Sequence, residues 1–199
     1  MGKIFCVIGK SSTGKDTIYS ELLNRSDLDI KKVVPYTTRP LREGELPGKE
    51  YFFCDEERVR QLEEDGKIIE LREYDTIYGI WKYFTVDDGQ IDLDAGNYLL
   101  IGTLEMYQNL KRYFGEKKVC PIYIEVEDGE RLMRAIARER LQDTPKYQEM
   151  CRRFLTDSGD FSEEKIQDAG IKIRFENRTL EDTIEQIVSY IHQVENTEE

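Results

Sequence analysis

The 199-residue chain has a single histidine, a single tryptophan and only five prolines, and its four cysteines stand far apart. One histidine, His192 in a late helical stretch, leaves little scope for histidine-based acid–base or metal chemistry. Cys6, Cys54, Cys120 and Cys151 form no C-x-x-C pair, which argues against a zinc site and a disulfide framework. They read as reduced, mostly buried thiols. No apolar run approaches the length of a membrane span, and the N-terminus enters an apolar strand at once, leaving no room for a signal peptide. A cytoplasmic protein that does not enter membranes is the expectation. Positive charge is also short: 29 Lys and Arg face 41 Asp and Glu, a net charge of −12, which argues against a nucleic-acid polymer as partner. No internal repeat and no Pro/Gly/Ser-rich linker divides the chain, so one domain is expected.

What is present begins at Gly9-Lys10-Ser11-Ser12-Thr13-Gly14-Lys15-Asp16-Thr17. It follows the β-branched run 4–8, which reads as a buried strand, and precedes a segment with Ile18, Leu22 and Leu23 on one helical face. Strand, G-x-x-x-x-G-K and helix together make a phosphate-binding loop. Gly9 and Gly14 let the backbone curl so that the N–H groups of Ser11, Ser12, Thr13 and their neighbours point inward. The start of the next helix favours an anion there, and Lys15 adds a point charge for the β- and γ-phosphates of ATP. Asp16 occupies the place where a hydroxyl usually meets magnesium. Asp16, directly or through water, and Thr17 through its hydroxyl are the candidate metal ligands.

Further along, strand and helix alternate, which implies an α/β fold with a parallel sheet covered on both faces. Strands are expected over 31–36, 50–53, 68–74, 77–84, 97–102, 119–126 and 171–176. Helices are expected over 55–65 (capped by Asp55, with Val59 and Leu62 inward), 105–114, 128–140 and 180–194. On 128–140 the pattern places Leu132, Ala135 and Ile136 inward and Arg131, Arg134 and Arg138 outward. After the break 142–145, Tyr147, Met150, Cys151 and Phe154 are expected to make one apolar helix face. The final helix should bury Ile184, Ile187, Val188 and Ile191. Residues 35–84 interrupt the rhythm as an inserted α+β sub-domain, in which Trp81 is expected to pack. Arginines bunch over 39–42 and 131–153, a local basic surface on an acidic body that suits a small phosphorylated ligand.

The run Thr37-Thr38-Arg39-Pro40-Leu41-Arg42-Glu43-Gly44-Glu45, followed by Gly48-Lys49-Glu50-Tyr51-Phe52-Phe53, resembles the T-T-R-x-x-R-x-G-E…G-x-D/E-Y-x-F signature of the guanylate kinase family. Ile69-Glu70, Tyr78-Gly79, Arg138, Arg152-Arg153 and Asn177 extend the resemblance over nearly the whole chain. It implies a P-loop NTPase core (1–34, 85–137 and 155–199), a nucleoside monophosphate-binding insert (35–84) and a short lid (about 138–154). The implied reaction is ATP- and magnesium-dependent phosphoryl transfer to GMP or dGMP. Arg39, Arg42 and Tyr51 would hold the acceptor phosphate and Glu70 the base, and Tyr78 and Thr103 would also belong to the monophosphate site. Lys15, Arg138 and Arg153 would stabilise the transferring group.

The residue types suit that chemistry on their own terms. Arginine forks fit a phosphate dianion, and a carboxylate can accept the two adjacent N–H groups of guanine. The chain departs from the family at Pro35 and Ile80, where hydroxyls are usual, at Ile101 and Thr103, where acids are usual, and at Asp16. Two rival readings remain: a kinase for another (deoxy)nucleotide, and an inactive guanylate kinase-like module that grips a phosphopeptide.

Overall fold

The computed structural model describes residues 1–42, 44–76 and 79–197. Its central strand, β1 (Ile4–Ile8), is buried at all five positions. Alternate side chains of a strand point to opposite faces, and here each face has its own core. Ile4, Cys6 and Ile8 pack with Leu104, Met106, Tyr107 and Leu110 of α3 (Leu104–Phe114). Phe5 and Val7 pack with Ile18 and Leu22 of α1 (Lys15–Asn24) and with Ile184, Ile187, Val188 and Ile191 of α7 (Leu180–Asn196). Two apolar faces on one short strand require helices on both sides, which is the expected parallel α/β layer structure.

Five parallel strands form this sheet in the order β2 (Ile30–Lys32), β7 (Asn97–Gly102), β1, β8 (Val119–Glu125), β9 (Arg174–Glu176). A second, four-stranded sheet lies between β2 and β7 in sequence. Its order is β4 (Phe52–Phe53), β3 (Tyr36–Thr37), β6 (Gly79–Val86), β5 (Ile68–Thr76). Helix α2 (Glu56–Glu64) covers it, with Val59 and Leu62 packed on Phe84 and Val86. Asp55 caps α2 by accepting the Arg58 N–H at 2.8 Å. Trp81 lies half-buried on β6, in register with Tyr74 of β5.

The structure corrects several expectations. The single strand over 31–36 is two strands in different sheets, β2 and β3. Pro35 falls between them; it lacks an N–H for a ladder and restricts the residue before it, and its carbonyl instead accepts the Phe52 N–H at 2.9 Å. The last strand is only β9, three residues long. A six-residue helix, α6 (Glu163–Asp168), was not anticipated; it buries only Ile166, too little for a periodic signal.

On α4 (Asp128–Arg140) the inward face differs from the expected one. Arg131 is buried at 1% exposure and Ile136 is exposed, because the helix turns Arg131 and Ala135 toward the next helix. On that helix, α5 (Tyr147–Asp160), Met150 is buried and Phe154 half-buried, but Tyr147 and Cys151 are exposed. Met150, Phe154 and Asp157 make the stripe that faces α4 and the phosphate loop. The thiols are all free, yet only Cys6 is buried; Cys54 and Cys120 are half-buried and Cys151 is exposed. Among the described residues, no helix is long and apolar enough to cross a membrane.

Candidate active site

Two functional regions meet because of strand register. Ile8 at the end of β1 lies beside Gly102 at the end of β7. The glycine loop that leaves β1 is therefore next to Thr103, which opens α3. Ligands of open α/β sheets bind at such carboxyl ends.

Within the loop, the backbone takes left-handed or near-extended positive φ at Gly9 (157°), Ser12 (65°) and Gly14 (85°). A Cβ on Gly9 would stand 2.6 Å from the Ile124 carbonyl oxygen, and one on Gly14 would stand 2.5 Å from Asn177 Nδ2. Asn177 donates from that Nδ2 to the Thr13 carbonyl at 2.8 Å, and Thr13 Oγ1 donates to the Lys10 carbonyl at 2.9 Å. The loop is thus braced through its carbonyls, by Asn177 and by its own Thr13. Ser12 Oγ is buried with no hydrogen-bond partner among the described residues. The Ser11 N–H donates at 2.7 Å to Asp157 Oδ2, so a carboxylate already occupies one loop amide.

Lys15 begins α1, and its Nζ lies 3.7 Å from Asp16 Oδ2; Asp16 and Thr17 are exposed. These oxygens suit magnesium, which usually takes one or two protein ligands and keeps phosphate and water for the rest. No three-residue cluster of metal-binding side chains occurs among the described residues.

Opposite the loop, Arg138 of α4 and Arg153 of α5 line one cleft of about 80 Å³ with Ser11 and Ser12. Both arginines are exposed; Arg153 Nε donates to Glu149 Oε1 at 2.8 Å. The cleft floor contains Arg131, whose Nη1 donates to Asp157 Oδ2 at 3.1 Å and to the Ser11 carbonyl at 3.3 Å. Its Nε donates to Asp128 Oδ1 at 3.1 Å, and its guanidinium lies 4.0 Å over the Phe154 ring. Arg131 and Asp157 were missed as site residues because their pairing is between two helices. Burial pushes the Asp128 carboxyl up, but Lys10 and Arg131 more than offset this and hold it below its usual value.

On the small sheet, Arg39 is buried at 3% exposure. Its two Nη atoms donate to the two oxygens of Glu45, each at 2.8 Å, and its guanidinium sits 5.2 Å over the Tyr51 ring. Glu45 also accepts the Arg42 N–H at 2.8 Å, while the Arg42 side chain is exposed. Hydrogen bonding from Arg39 lowers the Glu45 carboxyl to about 2. Burial pushes the Tyr51 hydroxyl up against the nearby Arg39 and Arg72. Tyr78 lies outside the described residues.

Glu70 is buried, and its carboxylate is engaged. Oε1 accepts from Thr85 Oγ1 at 2.8 Å, and Oε2 accepts from Arg72 Nε at 2.9 Å. Arg72 Nη1 reaches Thr103 Oγ1 at 3.5 Å, and Thr103 caps α3 by accepting the Met106 N–H at 3.2 Å. Glu70 and Arg72, two apart on β5, share a face of the strand, so their pairing was readable from spacing alone.

The chain matches the family described as guanylate kinase over residues 1–194. It belongs to the guanylate kinase family. That places it among the nucleoside monophosphate kinases. A guanylate kinase of Anaplasma phagocytophilum is 30% identical over 148 residues, covering 72% of this chain and 67% of that protein. One from Malacoplasma penetrans is 27% identical over 183 residues, 88% of this chain and 81% of that protein. One from Clostridioides difficile is 37% identical over 121 residues, although the match spans only 54% of its length. The crystal structure of the Anaplasma guanylate kinase superposes with a TM-score of 0.62 at 23% identity, covering 96% of this chain and 85% of that one. That likeness establishes the P-loop NTPase fold for this guanylate kinase-family chain.

Proposed function

We propose that the chain transfers the γ-phosphoryl group of ATP to a nucleoside monophosphate, GMP or dGMP before others, in the cytoplasm. The observation that carries this is convergence: Arg138 and Arg153, from two helices, line one cleft with Ser11 and Ser12 of the glycine loop. Cations brought onto a phosphate loop suit a transition state that spreads charge over the transferring oxygens. The unpartnered, buried Ser12 Oγ and the anion-occupied Ser11 N–H support the same use of the loop.

In this reading Lys15, Ser11, Ser12, Thr13 and the loop amides hold the donor phosphates. Asp16 and Thr17 would hold magnesium, which neutralises phosphate charge when bound. Residues 35–84 form the acceptor insert and 138–154 the lid. The exposed Arg42, with Tyr51, meets the acceptor phosphate. Arg39, tied to Glu45, shapes that loop and offers what its fork has left. An acceptor phosphate oxygen attacks the γ-phosphorus and ADP leaves, so the protein supplies position and charge and needs no covalent intermediate. The lid arginines also cover the reacting groups from water.

A coupled ADP-release assay with ATP, magnesium and a panel of ribo- and deoxymonophosphates tests this. Lys15→Ala should lower turnover about 10²–10³-fold, the cost of losing one well-placed charge-stabilising group. A clear GMP or dGMP preference supports the reading. Activity on another acceptor alone moves the specificity, and silence from folded protein would favour a phosphopeptide-binding module.

A further inference from the structure

We infer that Asp157 is a positioning residue for phosphoryl transfer: it ties helix α5 to the Ser11 amide of the phosphate loop and so holds Arg153 over the donor phosphates. This rests on the lid arginines acting on the donor, as proposed above.

Arg153 cannot be aimed by its own side-chain contact. It is 56% exposed, and its Nε donates to Glu149, a residue of the same helix, so that bond does not fix α5 relative to the loop. Asp157 lies one turn further along α5 on the same face, about 6 Å along the axis. Its carboxylate accepts the Ser11 N–H at 2.7 Å, and its side chain is 16% exposed. A short hydrogen bond to an ionised acceptor, largely shielded from water, is of the strong kind. Whatever fixes the height and rotation of α5 at Asp157 also fixes them at Arg153.

Arg131 keeps the carboxylate in place. Its Nη1 donates to the same Oδ2 at 3.1 Å and to the Ser11 carbonyl at 3.3 Å. Both backbone groups of Ser11 are therefore engaged by the two lid helices. Because α4 has its own bond to the Ser11 carbonyl, Asp157 serves α5 and Arg153, and Arg138 does not depend on it.

A lone carboxylate beside a phosphate loop would repel a polyphosphate. Here Lys10 contacts Asp128 at 3.3 Å, and Arg131 contacts Asp128 at 3.0 Å and Asp157 at 3.1 Å. Two cations offset two anions, so the joint supplies position without net charge. It also leaves the next loop residue available, since Ser12 Oγ is buried with no hydrogen-bond partner among the described residues.

The test is a double-mutant cycle on kcat, with Asp157→Ala and Arg153→Ala made singly and together. The acceptor is whichever monophosphate the wild type turns over best, and a circular-dichroism melt checks that each variant folds. Asp157→Ala should lower kcat about 10–100-fold, the scale of a small misplacement, and leave the KM of the monophosphate unchanged. In the Arg153→Ala background the same substitution should cost less than about twofold, because the group it positions is already gone. A merely structural role would lower kcat by equal factors in both backgrounds, and that result would overturn the inference. Arg131→Met combined with Asp157→Leu removes both charges and strands neither. It should lose at least as much kcat as Asp157→Ala, and wild-type turnover from this pair would also overturn the inference. So would tighter ATP binding by Asp157→Ala in calorimetry with kcat undiminished, which would make Asp157 a plug in the loop. Wild-type protein that turns over no monophosphate would overturn the kinase reading and this inference with it.

Discussion

At the scale of single residues, the Arg39–Glu45 pair sets an acid limit on the acceptor loop. Hydrogen bonding from Arg39 lowers the Glu45 carboxyl from an ordinary 4.5 to about 2 in the folded chain. A depressed carboxyl contributes stability that is complete above the unfolded value and is lost as pH falls toward the folded one. The loss should therefore run from about pH 4.5 down to about pH 2. Glu45→Gln removes the titration, so its unfolding free energy, measured by denaturant titration at several pH values, should change less across that window than the wild type's. An unchanged slope would mean that the pair is no stronger in the folded chain than in the unfolded one. The same residues show what sequence can disclose. The T-T-R-x-x-R frame identified Arg39 and Arg42 as phosphate candidates because their spacing is local. That Glu45 would close on the Arg39 fork depends on the loop's path, and spacing does not encode that path. Glu70 and Arg72 are the opposite case, since strand period alone puts them on one face.

At the scale of elements, the junction of α4 and α5 is held by a buried cation. Arg131 has 1% side-chain exposure and contacts Asp128 at 3.0 Å and Asp157 at 3.1 Å. Arg134, one turn on, pairs with Glu130 at 3.0 Å but is 31% exposed. These two arginines look alike in sequence and should behave differently. Removing one partner of a buried pair strands the other charges and costs roughly 3 kcal/mol or more, whereas an exposed i,i+4 pair contributes about 0.3–0.5 kcal/mol. We expect Arg131→Met to lower the urea midpoint clearly and Arg134→Ala to leave it nearly unchanged. Equal effects would remove the strut from the account. Helical periodicity misassigned Arg131 because a buried arginine obeys its partners, Asp157 and the Phe154 ring, and not the apolar stripe. The longer elements were legible where an apolar stripe met an uninterrupted core, as in β1, α3 and α7. Short pieces such as β9 and α6 were not, since they bury too few side chains to generate a period.

For the molecule as a whole, one sheet carries the phosphate loop and the other carries the acceptor candidates. They meet where the ends of β1 and β7 lie side by side. The Arg72–Thr103 contact crosses between the sheets at this junction. Donor and acceptor should therefore bind adjacent but separate surfaces, and each should stabilise the folded chain by mass action. ATP with magnesium at 100 times its dissociation constant adds about 2.7 kcal/mol. For a chain of this size each kcal/mol raises Tm by about 2–4 °C, so thermal melts should show a rise of about 5–10 °C. Lys15→Ala should lose most of the rise caused by ATP and keep the rise caused by a monophosphate, because Lys15 serves only the loop. Arg42→Ala should show the reverse pattern. If Lys15→Ala lost both rises together, the two surfaces would be one site, and the division of labour between the sheets would have to be abandoned.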